Sequence, residues 1–153
     1  MLRRDKLKVL PSELEDEDRY LLDDQVGFLL RVAMQRHTAI FTSHMVEGLT
    51  QTQFASLAKL YEVGPCSQNH LGRLICLDAA TIKGVVDRLS ARGLVTAAND
   101  PHDRRRRAVA LTDQGRRVTE AAMKVAAKIT ADTLVPLSDE ERETVARLLK
   151  KLA

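Results

Sequence analysis

The sequence predicts a mainly α-helical fold that contains one small β-hairpin. Apolar residues recur at intervals of three and four through most of the 153 residues, which is the period of an amphipathic helix. Residues 94–111 break this pattern, because two short β-prone runs flank turn-forming residues and four consecutive arginines. The hydrophobic fraction of 44% is sufficient for a packed core. The length fits one domain, or one domain with an oligomerisation appendage.

The first two predicted helices lie before residue 65. Residues 24–46 form one long helix with an apolar stripe on one side. Thr50 and Gln53 have the spacing of a capping box, in which a hydroxyl and an amide each satisfy a main-chain N–H at a helix start. The second helix therefore begins after Thr50, and Gly64 and Pro65 end it.

Two shorter helices follow, and their spacing resembles that of a helix-turn-helix. Ser67 is placed to cap a helix of about eight residues, and Asp78 one of about twelve. The second of them exposes Thr81, Lys83 and Arg88 opposite its apolar stripe. Small helical bundles also contain short amphipathic pairs, so this pair alone leaves a purely structural role equally open.

The hairpin favours a role in binding nucleic acid. Residues 94–97 and 108–111 are the predicted strands, and the arginines at 104–107 lie near the tip. Residues 83–107 hold seven basic and three acidic side chains, so the positive charge of a chain with net charge +3 is local. A basic hairpin directly after a helix-turn-helix is a wing. One helix then enters the major groove while the wing reaches the adjacent minor groove; the alternative is a merely solvated charge run.

Within the wing, the sequence assigns different tasks to neighbouring residues. We expect the carboxylate of Asp103 to hold one guanidinium in a fixed rotamer through charge-assisted hydrogen bonds. Arg104 or Arg105 is then the residue that enters the minor groove, while Arg106 and Arg107 contact nearby phosphates.

The remaining chain predicts two more helices and a symmetric dimer. Thr112 caps a helix that ends near residue 134, and Ser138 with Glu141 forms a second capping box before the last helix. A helix of this length spans roughly 35 Å, more than a compact winged domain needs. This length suggests a dimer that is formed through the N- and C-terminal helices. Such a dimer places its two DNA-binding lobes about 34 Å apart.

These elements divide the chain into three predicted segments. Residues 1–48 supply an N-terminal extension and the first helix, residues 49–112 the winged helix-turn-helix lobe, and residues 113–153 the long and the C-terminal helix. The first and third segments are expected to form the dimer.

Other classes of protein have weak support. The N-terminal residues contain no apolar run of signal-peptide length and no stretch is long enough to cross a membrane, so we expect a cytoplasmic protein without a membrane partner. Cys66 and Cys76 lack the spacing of a zinc site, and neither a metal nor a cofactor is predicted. We interpret both as reduced thiols in or near the core. Redox sensing by Cys66 is the alternative, because a helix start can lower a thiol pKa.

Residues 48–95 and 99–115 resemble the reading helices and wing of the MarR family of bacterial regulators. The specific parts are the DPxDRR element that begins at Asp100 and the V-x-L-T-x-x-G exit that ends at Gly115. The stretch QVGFLLRVAMQRHTAIF also resembles regulators of aromatic-acid breakdown.

This resemblance implies a homodimer of winged-helix domains that represses nearby genes and leaves a palindromic operator when a small molecule binds. It places Ala79, Thr81 and Lys83 on the groove-facing side of the recognition helix. Members often carry a polar or basic residue where this chain has Gly84, so the base preference does not transfer. The residues predicted to contact double-stranded DNA are Ser67, Gln68, Asn69, Ala79, Thr81, Lys83, Arg88, Asp103, Arg104, Arg105, Arg106 and Arg107.

The resemblance also implies an effector cleft between the first, second and fifth helices. Arg36, His37, Phe41 and His44 on the first helix and Tyr61 on the second are the candidate ligands. A guanidinium and imidazoles beside aromatic rings suit an aromatic carboxylate or its coenzyme A thioester. The alternative is that His37 and His44 belong to the packed side of the first helix and bind no ligand.

Two other functions differ in class from a ligand-released repressor. A small enzyme would use His37, His44 or Cys66, but the sequence has no nucleophile with a base at motif spacing and no phosphate loop, so we predict no catalysis. A nonspecific architectural DNA binder would bind operator and random DNA with nearly equal affinity.

Overall fold

The protein is described by a computed structural model over residues 19–153. The basic N-terminal run and most of the acidic stretch before α1 lie outside the described residues, so expectations about them stay predictions. Short 3-10 turns precede α1 and α2, at Leu22–Asp24 and Val46–Gly48. The helices and strands are α1 Val26–His44, α2 Gln51–Val63, α3 Gln68–Leu74, α4 Ala79–Ala91, β1 Val95–Asn99, β2 Arg107–Leu111, α5 Asp113–Thr133 and α6 Asp139–Leu152.

The caps predicted for α2, α3, α4, α5 and α6 are confirmed, and each is a hydrogen bond between residues three apart. Thr50 Oγ1 accepts from the Gln53 N–H at 3.2 Å and the Thr50 N–H donates to Gln53 Oε1 at 3.0 Å, which completes the capping box of α2. The same reciprocal box opens α6. The other predicted caps, each accepting from a main-chain N–H three residues on, are Ser67, Asp78 and Thr112.

The chain forms two compact units that divide within α1, after Met34. The described part of the first unit contains the 3-10 turn and the start of α1, with exposed apolar side chains that include Val26, Leu29 and Leu30. In the second unit, Phe41 of α1 is buried. The C-terminal part of the predicted apolar stripe of α1 thus contributes to the core of the second unit.

The core of the second unit is built from the helices that carry the wing. The fully buried side chains include Leu57 of α2, Leu71 of α3, Ile82 and Leu89 of α4 and Ile129 of α5. These side chains form one apolar cluster, so α2, α3, α4 and α5 share a single core. The positions of α3 and α4 are therefore set by packing and not by the turn between them alone.

The close approach of α3 and α4 depends on Gly72. A Cβ atom at this position would lie 3.1 Å from Ile82 Cγ2 and 3.1 Å from the Leu77 carbonyl oxygen. The Leu77 N–H donates to the Gly72 carbonyl oxygen at 2.8 Å and closes the turn. Cys76 in this turn has a φ of 58°, the left-handed region that non-glycine residues seldom adopt.

The hairpin is antiparallel, and its ladder runs from Val95 opposite Leu111 to Asn99 opposite Arg107. Both strands reach further toward the tip than predicted, so Arg107 begins β2 while the other three arginines lie in the connecting loop. A third segment joins the hairpin, since Cys66 and Val109 exchange main-chain hydrogen bonds of 3.2 and 2.8 Å. This pairing, which the sequence does not predict, attaches the base of the wing to the α2–α3 connection.

The long helix α5 has 21 residues, close to its predicted extent. The Thr112 hydroxyl donates to the Gly93 carbonyl oxygen at 2.6 Å and accepts from the Gly115 N–H at 2.9 Å, which ties the start of α5 to the start of β1. Between residues 19 and 153, none of the helices is long and apolar enough to cross a membrane.

Candidate nucleic-acid interface and adjoining cleft

Helix α4 has the amphipathic arrangement that the sequence predicts. Ile82, Val85, Val86 and Leu89 are buried, while Thr81, Lys83 and Arg88 are exposed. The buried side chains fix the rotation of α4 about its axis, so the polar face is presented to solvent by a rigid element. Ala79, in the first turn, is exposed too.

The exposed polar side chains of α4 differ in what they bind within the chain. Asp78 accepts from both the N–H and the hydroxyl of Thr81 at 2.8 Å. These hydrogen bonds hold the pKa of Asp78 below its ordinary value, so the cap is ionised at neutral pH. Lys83 Nζ lies 2.6 Å from Asp87 Oδ2. The guanidinium of Arg88 has no hydrogen-bond or ion-pair partner within residues 19–153.

The first turn of α3 contributes less exposed surface than predicted. Ser67 is half-buried and its hydroxyl oxygen accepts from the His70 N–H at 3.2 Å, so it serves as the helix cap. Gln68 is half-buried as well, and Asn69 is the exposed member of the three. Contact of these residues with DNA stays a prediction.

Two aspartates shape the loop at the tip of the wing. Asp100 Oδ1 accepts from the His102 N–H at 2.8 Å, and Asp103 Oδ1 accepts from the Arg105 N–H at 3.0 Å. Asp103 Oδ2 also lies 3.5 Å from Arg106 Nε, so the guanidinium that Asp103 holds is that of Arg106. The expected carboxylate–arginine pair is therefore present as an ion pair, and the expected charge-assisted hydrogen bonds stay a prediction.

The other loop arginines present their charges outward. Arg104 and Arg105 are exposed, and no side-chain partner of either lies within the described part of the chain. Their main chain is nevertheless ordered by the Asp103 turn. The guanidiniums of Arg104 and Arg105 are therefore not neutralised within residues 19–153, which favours an anionic partner.

Arg73 of α3 adjoins both the wing loop and the start of α4. A cleft of about 550 Å³ is lined by Arg73 of α3 together with Asp100, Asp103 and Arg106 of the loop. Arg73 also lines a second cleft with Asp78 and Ala79. The wing loop and the start of α4 are thus both next to α3. Arg73 is basic and exposed at this junction. Because it stands alone in the sequence, no charge pattern predicts that it lies beside the wing loop.

Cys66 lines the larger cleft and is 9% exposed. Burial raises the pKa of its thiol above the ordinary value, and the negative charge of Asp100 raises the pKa further. This direction is opposite to the lowered pKa that redox sensing requires, because the main-chain pairing with Val109 places Cys66 inside the fold. Residues 19–153 contain no group of three His, Cys, Asp or Glu side chains able to hold a metal ion.

We expect Cys76 to be alkylated by iodoacetamide well before Cys66. Cys76 is exposed, whereas the raised pKa of Cys66 reduces its thiolate fraction at neutral pH. Labelling of Cys66 should accelerate as pH rises toward its thiol pKa. Mass spectrometry of the native protein from pH 7 to 9 measures both rates, with Cys76→Ser as the control that isolates Cys66. Rapid labelling of Cys66 at pH 7 would contradict its buried, protonated state.

A smaller cleft of about 240 Å³ lies between α1, α2 and α5, at the position predicted for an effector. His37, Phe41 and Phe54 line it, with ring centroids 6.3 Å apart for the first pair and 6.2 Å for the second. Gln51 adds a polar group, and Ile129 closes the α5 side. Gln51 and Phe54 were not among the predicted ligands, although Phe54 falls on the apolar stripe of α2.

The structure brings two of the five candidate effector residues, His37 and Phe41, into this cleft. Arg36 instead donates to the main-chain carbonyls of Asp132 and Thr133 at the end of α5. This contact is favourable because the carbonyl oxygens at the end of a helix form the negative end of the helix dipole, which attracts a cation.

The other two candidates lie outside the lining of this cleft. His44 Nε2 lies 3.8 Å from Asp132 Oδ2. Tyr61 donates to Glu120 Oε1 at 3.0 Å, and the guanidinium of Arg116 covers its ring at 5.0 Å from the centroid. Sequence spacing places Tyr61 on the correct helix, but its rotation directs the ring to another part of α5.

The fold and the basic, contiguous surface define a winged helix-turn-helix DNA-binding protein. The model of the MarR family matches residues 49–106. The chain is 41% identical to the HTH-type transcriptional repressor NicR of Pseudomonas putida over 147 residues, which are 95% of this chain and 93% of NicR. It therefore belongs to the MarR family and is a DNA-binding transcriptional regulator.

Solved structures show the same fold. A probable transcriptional regulator from Pseudomonas aeruginosa is 51% identical with a TM-score of 0.83, over 87% of this chain and 100% of that one. Bordetella bronchiseptica BpsR, solved in a study of how 6-hydroxynicotinic acid regulates its DNA binding, is 40% identical with a TM-score of 0.81. That similarity covers 88% of this chain and 96% of BpsR.

Proposed function

We propose that the protein is a homodimeric repressor that leaves a palindromic operator when an aromatic carboxylate binds. The observation that carries the DNA-binding part is the wing, whose Asp103 turn exposes Arg104 and Arg105 in a loop that shares a cleft with α3. The repressor name of NicR and the 6-hydroxynicotinic acid of BpsR support the remaining parts. Since bacterial DNA lies in the cytoplasm, we place the protein there.

The exposed apolar side chains support a homodimer. They include Leu29 and Leu30 on α1 and Leu148, Leu149 and Leu152 on α6, and Leu152 is 71% exposed. Amphipathic helices bury such faces against a partner, and apolar patches of this kind mark interaction sites. A second copy of the chain would cover these helices and supply the second reading head that a palindrome requires.

The hydrogen bonds around His37 indicate how the cleft would bind a ligand. Thr133 Oγ1 donates to the Ile129 carbonyl oxygen at 2.8 Å, so it must accept from His37 Nδ1 at 2.9 Å. Nδ1 therefore carries a hydrogen, and Nε2 is left for a ligand. It accepts from a hydroxyl when the ring is neutral and donates to a carboxylate when the ring is protonated.

The size of the cleft favours a small ring over a large conjugate. Its volume of about 240 Å³ is below the roughly 300–1,000 Å³ of sites for drug-sized ligands. A free aromatic acid is small enough to pack against the rings of Phe41 and Phe54, whereas a coenzyme A thioester would have to leave its nucleotide outside. We therefore favour the free acid. The Arg36 contact with the end of α5 would hold one wall of the cleft.

We expect 6-hydroxynicotinic acid to raise the melting temperature and to release the protein from operator DNA. A ligand at 100 times its Kd stabilises the folded state by about 2.7 kcal/mol. His37→Ala should remove both responses. His44→Ala, on the same helix but outside the cleft lining, is the matched control and should keep them. Failure of several aromatic acids to stabilise the wild-type protein would exclude this effector class.

An architectural DNA binder is the competing function. It would bind random and operator duplexes with similar affinity, whereas a specific regulator binds its operator typically 10³ to 10⁷ times more tightly. Competition between the two duplexes at fixed salt distinguishes these functions.

A further inference from the structure

We propose that Arg88, lying across Gly84, is the specificity-determining residue of α4 and binds one guanine in each operator half-site. This inference rests on the proposed function, because it requires α4 in the major groove. It concerns the Gly84 position, where the base preference could not be transferred from family members.

Gly84 leaves a gap on the exposed face of α4, and Arg88 fills it. A Cβ atom at Gly84 would lie 3.6 Å from Arg88 Nη1, 3.9 Å from Cζ and 3.9 Å from Nη2. These three atoms of the guanidinium therefore pack over the main chain of Gly84, one turn before Arg88. This direction agrees with the general tilt of long helical side chains toward the N-terminus.

The charge on Arg88 is available to a ligand. The nearest acid along the helix, Asp87, is bound to Lys83 Nζ at 2.6 Å. The Thr81 hydroxyl likewise donates to Asp78, the cap of α4. Among the polar side chains of α4 predicted to contact DNA, Arg88 is thus the one without an intramolecular partner in residues 19–153. Its five N–H donors are all free to bind.

The position over Gly84 directs these donors to bases more than to phosphates. Thr81, Gly84 and Arg88 are separated by three and four residues, so they share one stripe of the helix. A glycine in this stripe has no side chain between the helix and the groove floor, which permits a close approach. A guanidinium held there matches the O6 and N7 acceptors of guanine in a bidentate contact.

The experiment begins with selection of binding sites by the full-length protein from a randomised duplex pool. All single-base substitutions of the selected site are then measured against Arg88→Ala at one salt concentration. We expect the variant to lose its preference for guanine at one symmetry-related position, with roughly 5- to 150-fold weaker binding of the selected site. Its affinity for random duplex should change no more than that of Lys124→Ala, which removes one exposed charge from α5.

Two substitutions at Gly84 test the packing directly. Gly84→Leu displaces the guanidinium without removing its charge, and should reproduce the loss of guanine preference. Gly84→Ala places only a methyl group at ordinary contact distance from Arg88 and should keep the preference. Because position 84 is only half-buried, these variants are expected to fold, as circular dichroism can verify.

Two results would overturn the inference. One is an equal loss of selected and random duplex binding in Arg88→Ala with unchanged base preference, which identifies a phosphate contact. The other is full base preference in Gly84→Leu. If the wild-type protein selects no common sequence, sequence-specific regulation itself fails, which is a separate and earlier result.

Discussion

Replacing both Arg104 and Arg105 by alanine should remove operator binding while the fold and the dimer persist. Both side chains are exposed and lie at the tip of a turn that is held by Asp103 through the main chain. If each arginine contributes about 1–3 kcal/mol, the double variant binds roughly 30-fold more weakly or worse. The slope of log affinity against log salt should also fall by about 1.8, from roughly 0.9 per lost phosphate contact.

The matched control is Lys124→Ala with Lys128→Ala, which removes the same charge from exposed positions of α5. It should leave operator affinity nearly unchanged. Fluorescence anisotropy at several salt concentrations measures affinity and slope together, and light scattering reports the oligomeric state. Unchanged affinity in the arginine variant would disprove the wing assignment. A loss of the dimer would show that the loop also has a structural role.

Gly115→Ala should be severely destabilising although it adds a single methyl group. A Cβ atom at Gly115 would lie 1.8 Å from the Leu94 carbonyl oxygen and 2.8 Å from the Leu94 carbonyl carbon. This carbonyl belongs to the main chain and accepts from the Thr112 N–H at 3.1 Å, so it cannot move independently. The start of α5 and the wing must separate. We expect a loss of about 3 kcal/mol or more of unfolding free energy.

Gly84→Ala is the control for glycine replacement in a helix. The nearest atom to its new methyl group is Arg88 Nη1 at 3.6 Å, an ordinary contact. Since alanine costs less backbone entropy than glycine, this variant should gain about 0.5–1 kcal/mol. Chemical denaturation of both variants at equal concentration measures the difference. Wild-type stability in Gly115→Ala would mean that α5 and β1 lie further apart than the structure places them.

The features that the sequence predicts best are those that depend on neighbouring residues. The caps at Thr50, Ser138 and Asp78 are hydrogen bonds between residues three apart, so pattern alone locates them. The Asp103 turn is equally local. The amphipathic period of α4 likewise predicts which side chains are buried, because one face of a helix must meet the core.

The candidate effector cleft was predicted less completely because it joins three distant segments. Arg36 and Thr133 are far apart in sequence, and no local pattern shows that a guanidinium will bind the carbonyls at the end of α5. The same holds for the Tyr61–Glu120 hydrogen bond, which draws the tyrosine away. Phe54 enters the cleft because α2 is rotated by its buried side chains.

By itself the sequence determined the order of the helices, the hairpin, their caps and the local basic charge, since each follows from short-range spacing. Only the tertiary structure decided which charges remain available. Asp103 neutralises Arg106 but not Arg104 or Arg105, and Arg88 lies free over Gly84. The physical reason is that charge pairing and side-chain packing depend on distances of a few ångströms between atoms, which spacing along the chain does not specify.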